Sequence, residues 1–115
     1  MWRKILNPTR LRTCNNVSEV FLKIFRDPKH TLVAVCDVGL LGETFREGKL
    51  KLEVKIDFYK GSAATISEAL RAVNDSDIAN LVGKRIVEAA VKEGYVDPTA
   101  VIHVAGIPHV QIVRL

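Results

Sequence analysis

The hydrophobic period of this chain changes twice, and that pattern limits its fold more than any other feature. From Glu19 to Ile56 the apolar residues recur mainly at every second position or in short solid runs. From Ser62 to Glu93 they recur at helical spacing. After Asp97 short strand-like segments return. Strands clustered at both ends with helices between them predict an α+β domain whose sheet is mostly antiparallel.

Glu19 to Arg26 (EVFLKIFR) alternates, with Val20, Leu22 and Ile24 on one face and Phe21, Lys23 and Phe25 on the other. Asp27-Pro28-Lys29-His30 is turn chemistry. Thr31 to Asp37 (TLVAVCD) is nearly all apolar, which predicts a central strand covered on both faces and a hairpin with the first. Gly39-Leu40-Leu41-Gly42 reads as a tight turn burying its two leucines, with a short helical turn over Leu40 to Arg46. It lacks the spacing of a phosphate-cradling glycine loop. Lys49 to Ile56 (KLKLEVKI) alternates strictly, placing Leu50, Leu52, Val54 and Ile56 toward the core. Asp57 to Gly61 closes this strand with a turn.

Ser62 or Thr65 caps a predicted helix to about Val73, with Ile66, Ala69, Leu70 and Val73 inward. A longer helix is predicted from Asp77 to about Glu93, capped by Asp75 or Ser76 and ended by Gly94. Val101 to Val104 and Val110 to Leu115 (VQIVRL) are the closing strands, separated by a turn from Ala105 to His109. The expected order is β-β-β-α-α-β-β: about five strands, with two helices packed on one face.

Charge divides the chain differently. Of 17 Lys and Arg, four (Arg3, Lys4, Arg10 and Arg12) precede the first acid, Glu19. The remaining thirteen bases face thirteen acids, so the net +4 belongs to the arm over residues 1–18. Pro8 interrupts any helix there. The arm reads as a flexible, disordered or partner-ordered tail or as a start-codon misassignment, and residues 19–115 as a single domain. The 115 residues suffice for a core without metal or disulfide staples. No apolar run approaches the ~18 residues of a membrane span, and the N-terminus does not have the pattern of a signal peptide. Cys14 and Cys36 form no CxxC pair. A cytoplasmic protein with reduced thiols is expected, with no metal and no cofactor. The richness in Val, Ile, Lys, Arg and Glu leans toward a thermophile.

Four groups of residues bear on function. Cys36-Asp37 ends a buried strand, where sites collect. It is a weak candidate for a nucleophilic thiol with an acid neighbour, and Asp37 more simply caps the glycine turn. Catalysis by Cys36 would need a histidine base, for which His103 and His109 are the candidates. Asn80, Lys84 and Glu88 fall four apart, forming one polar stripe of the predicted helix beside Gly83 and Arg85. His109 and Gln111 project from one side of a strand after a rigid Gly106-Ile107-Pro108 turn, with Arg114 beyond them. A lone His with a Gln is no metal ligand set.

The segments CDVGLLGETFREGKLKLEV, FYKG, DIANLVGKRIVEAAVKEGYVDP and GIPHVQIVRL together resemble the archaeal domain-of-unknown-function family 424. The resemblance covers roughly Val20 to Leu115. It implies a small cytoplasmic archaeal protein and no particular activity. The family's genes keep company with translation genes, which implies RNA- or ribosome-linked work. The family pattern falls here on Cys36, Asp37, Leu41, Gly42, Phe45, Gly48, Asn80, Gly83, Arg85, Gly94, Pro108, His109 and Gln111. The arm lies outside it.

Three functions are therefore expected in order. The first is a non-catalytic module binding RNA or a translation-linked protein through the arm and through Asn80, Lys84, Arg85, His109, Gln111 and Arg114, with strand-borne Lys49, Lys51 and Lys55 as further bases. Phe21, Phe25, Phe58 and Tyr59 are rings for base stacking, although core packing is the commoner fate of such residues. The second is a small enzyme with a pocket built from Cys36, Asp37, Asn80, His109 and Gln111. The third is an oligomeric or interaction protein that pairs through the edge of its terminal strand.

Overall fold

The computed structural model describes residues 19–114. The basic arm (Arg3, Lys4, Arg10, Arg12) and Cys14 lie outside the described residues, as does Leu115. The first hairpin forms as the alternation predicts: β1 (Val20–Arg26) pairs antiparallel with β2 (Thr31–Asp37). Its turn is held by Asp27, whose carboxylate accepts from the Lys29 and His30 amides at 2.8 and 2.7 Å.

A 3-10 turn at Val38–Leu40 follows. The predicted helical turn over Leu40 to Arg46 is instead a strand, β3 (Thr44–Glu47), paired with β4 (Leu50–Glu53) in a separate two-stranded sheet. The alternation of Lys49 to Ile56 is only half used. Leu52 and Val54 are buried, whereas Leu50 and Ile56 are more than half exposed. Ile56 departs because it opens a one-turn helix, α1 (Ile56–Tyr59). A short strand that period alone did not reveal, β5 (Ser62–Ala64), then pairs with β1.

Thr65 caps α2 (Ile66–Asn74) with a reciprocal capping box. Its hydroxyl accepts from the Glu68 amide at 3.2 Å, and Glu68 accepts from the Thr65 amide at 2.9 Å. The predicted long helix from Asp77 does not form as one element. Its first half is a strand, β6 (Ile78–Val82), and its second half is α3 (Lys84–Lys92). Gly94 follows α3 with φ +84, as expected of the residue ending it. A 3-10 turn at Pro98–Ala100 leads to β7 (Ile102–Val104) and β8 (Ile107–Val113). Pro108 and His109 thus lie in the strand rather than in a turn.

The main sheet runs in the order β5-β1-β2-β6-β8-β7. Its central pair, β2 and β6, is parallel, with α2 on the crossover. Every other pair is antiparallel. The fold is therefore α+β and mostly antiparallel, with six strands rather than five. Helices α2 and α3 pack on one face through Ala69, Leu70, Val73, Ile86, Val87 and Ala90, against Val20, Val33, Val35 and Leu81. The other face carries Ala34, Cys36 and Val82, covered by Leu52, Val54 and Tyr59. That double coverage explains the solid apolar run of β2. The terminal strand β8 is paired on both sides, by β6 and β7, so the free edge expected there is absent.

Ala105 and Gly106 join β7 to β8 with φ of +52 and +81. Two left-handed central residues are the signature of a type I′ turn, for which Asn is a better first residue than Ala. Ala105→Asn should raise stability by about 0.5–1 kcal/mol. A rise in the urea midpoint at unchanged m-value checks this.

Candidate functional site

Strand register sorts the side chains of the sheet into rows. One row runs Phe21, Cys36, Val82, His109, Ile102. The next runs Lys23, Ala34, Asn80, Gln111. The third runs Phe25, Leu32, Ile78, Val113. In-register neighbours share a face. All three rows lie on the face opposite α2 and α3.

Only part of that face is covered. The two-stranded sheet and α1 close it over Phe21, Cys36 and Val82. Helix α1 is fixed there by Lys23, whose ammonium donates to the Asp57 carbonyl at 2.6 Å and lies 5.1 Å from the Phe25 ring centroid. Phe25 in turn stacks on Phe58, with centroids 5.3 Å apart and planes 22° apart. Beyond this cover the face opens. His109 and Asn80 are half-buried, Gln111 is exposed, and Ile102 and Val113 are more than half exposed.

A cleft of about 290 Å³ lies where cover and open face meet. Leu52, Glu53, Lys55, Phe58 and Tyr59 line it from the cover, and Asn80 and His109 from the sheet. Among the described residues, no side-chain hydrogen bond engages Asn80, His109, Gln111 or the Tyr59 hydroxyl. Burial holds the His109 imidazole below its ordinary pKa, favouring the neutral ring with one donor and one acceptor nitrogen. Burial, with Cys36 nearby, pushes the Tyr59 phenol up to about 12.

The sequence-derived enzyme pocket comes apart in this geometry. Cys36 shares a row with His109, but Val82 stands between them. Two inter-strand spacings, about 10 Å, put the thiol beyond the reach of that base. Burial, aided by the Asp37 carboxylate, pushes the Cys36 thiol up to about 12, so it stays protonated. Asp37 faces the opposite side of the sheet. Its carboxylate accepts from the Arg85 and Ile86 amides at 2.9 and 3.1 Å, so it caps α3 rather than the glycine turn. Burial raises its pKa, while the two amides pull it the other way.

Gly83 makes this remote cap possible. It ends β6 with φ +116, and a Cβ there would lie 2.3 Å from the Asp37 carboxyl carbon. The expected Asn80–Lys84–Glu88 stripe does not exist, because Asn80 is on the strand and the other two are on the helix. Arg85 is exposed and pairs with Glu19 at 3.4 Å on the helix side. Lys84 lines a different, mostly apolar groove with Val87, Val91 and Pro108. Arg114 caps the C-terminal end of α2, donating to the carbonyls of Val73, Asn74 (3.2 Å) and Ser76 (3.0 Å). The structure thus gathers Asn80, His109 and Gln111 on one face and sends Asp37, Lys84, Arg85 and Arg114 elsewhere. Of the strand-borne lysines and aromatic rings that the sequence offers for RNA contact, Lys55, Phe58 and Tyr59 line the cleft. The sequence carries no signal that α1 brings them together there.

The family described as "Protein of unknown function (DUF424)" matches over residues 25–115. The fold is similar to the crystal structure of an uncharacterized conserved protein from Methanopyrus kandleri. That likeness has a TM-score of 0.67 at 24% identity, covering 81% of this chain and 89% of the other. Comparison with curated proteins gives no match.

Two outcomes follow from the site's supports. Gly83→Ala should destabilise by about 3 kcal/mol, combining left-handed strain with loss of the cap, and Asp37→Ala by about 1–2 kcal/mol. The double variant should cost less than the sum, because both remove one cap; denaturant titration of the cycle measures this. For His109, the lowered native pKa means that the unfolded chain binds the proton more tightly. Its contribution to stability is complete well above the ordinary value of 6.5 and is lost as pH falls through it toward the native pKa. His109→Gln should shrink the drop in urea midpoint between about pH 7.5 and pH 5.

Proposed function

We propose that this chain, which belongs to the DUF424 family, is a non-catalytic module that binds single-stranded RNA on the open half of its sheet. The observation that carries this reading is the row geometry. Asn80, His109 and Gln111 present unengaged amide and imidazole groups from adjacent strands of one face. Phe58 and Lys55 stand at its margin.

Single-stranded bases can lie on such a surface. Their edges reach amide and imidazole groups, their planes reach aromatic rings, and lysines meet the phosphates. Asn80, His109 and Gln111 offer both donors and acceptors, which suits base edges. The remaining chemistry favours binding over turnover. Cys36 is held protonated beneath the cover, and Asp37 is occupied at the N-terminus of α3. The arm adds phosphate affinity without sequence preference.

Fluorescence anisotropy with short single-stranded RNA tests this on the full chain. Binding is expected to weaken between about 50 and 200 mM salt. Replacing Arg3, Lys4, Arg10 and Arg12 by Ser should reduce the log–log salt slope by up to about 3, while retaining binding at low salt. His109→Ala with Gln111→Ala should weaken binding in both backgrounds. No binding of the unaltered chain at low salt would sink the reading. Capture of a protein instead of RNA from native extract would redirect it to a translation-linked partner.

A further inference from the structure

We infer, resting on the RNA reading above, that the cleft between α1 and β6–β8 takes one unstacked nucleobase out of the bound strand. Its size fits that role. About 290 Å³ lies at the lower end of small-molecule pockets, enough for a single ring system but not for several nucleotides. Its walls differ from the open face beside it: Phe58 supplies an aromatic side, Asn80 a carboxamide, and His109 an imidazole.

The independent observation is Tyr59. Its side chain lines the cleft yet is only 4% exposed, and no described residue bonds its hydroxyl. Tyr59 thus brings the cleft wall a hydroxyl, both donor and acceptor, that no described residue uses. A base in the cleft can pair its ring nitrogens and exocyclic groups with it. Lys55, at the rim, is placed to meet the phosphate of the same nucleotide. The open face then supplies affinity along the strand, and the cleft supplies selectivity at one position.

The test uses the full chain and abasic ribose-phosphate strands of about eight units, each carrying no base or one base of the four kinds. At least one base should raise affinity about tenfold over the abasic strand. Tyr59→Phe should remove most of that gain while leaving the thermal midpoint unchanged or higher, since the hydroxyl stabilises nothing in the free protein. Equal binding of abasic and base-bearing strands overturns the inference and leaves the RNA reading standing. Failure of every strand to bind at low salt overturns both. A Tyr59→Phe variant that melts earlier yet keeps the full base-dependent gain shows the hydroxyl to be structural, and also overturns the inference.

Discussion

The Asp37 carboxylate, bonded to two amides at the start of α3, is the contact on which the rest of the architecture depends. It joins the end of the central strand β2 to a helix 47 residues beyond it, across a gap that only Gly83 leaves open. Because the cap comes from another strand, the chain can end β6 at Val82 and start α3 at Lys84 without a capping side chain of its own. That abrupt reversal keeps β6 beside β2 in the sheet and brings Ile86, Val87 and Ala90 down onto it. The central parallel pair and the helical layer share this one junction. A half-buried carboxylate is tolerable there because the helix's first amides and its positive end compensate part of its desolvation.

The two faces of the sheet are then treated unequally. Two helices close most of the first face, leaving Ile24 at its margin 41% exposed. The second is closed by a smaller cover, a two-stranded sheet and a single helical turn anchored by Lys23 and the Phe25–Phe58 stack. Glu47 ties the same cover to the closing hairpin by accepting from the Ala105 amide at 2.7 Å. A cover this small leaves half a face bare. Polar residues of interior strands therefore reach solvent without leaving the sheet. Asn80, in a strand flanked on both sides, owes its accessibility to that shortfall.

Much of this was legible in the residues. The faces of β1, the double coverage of β2, the Thr65 cap and the Gly94 stop follow from local chemistry that tertiary contacts reinforced. Sequence pattern and structure part over Asp77 to Glu93, where one long helix is expected and a strand and a helix form. A strand buried on both faces carries apolar residues in nearly every position, so Ile78, Leu81 and Val82 continue a helical spacing into Ile86 by coincidence. Asn80 and Gly83, both poor helix formers, marked the point where the helix reading failed. One helical turn is too short to show a period, so residues 57–61 read as a turn and nothing in the sequence places Phe58 and Tyr59 beside a cleft. Asn80, His109 and Gln111 were singled out for standing polar among apolar neighbours, and the register brought those three to one surface.

The sequence by itself determined the class of the fold, the faces of its regular strands and the confinement of excess charge to residues 1–18, since period, capping and composition are local properties of the chain. Tertiary structure alone decided the order of the strands, the partner of Asp37 and the exposure of the polar rows. Those depend on residues 27 to 49 positions apart meeting in space, and on how little of the second face α1 and its small sheet can cover.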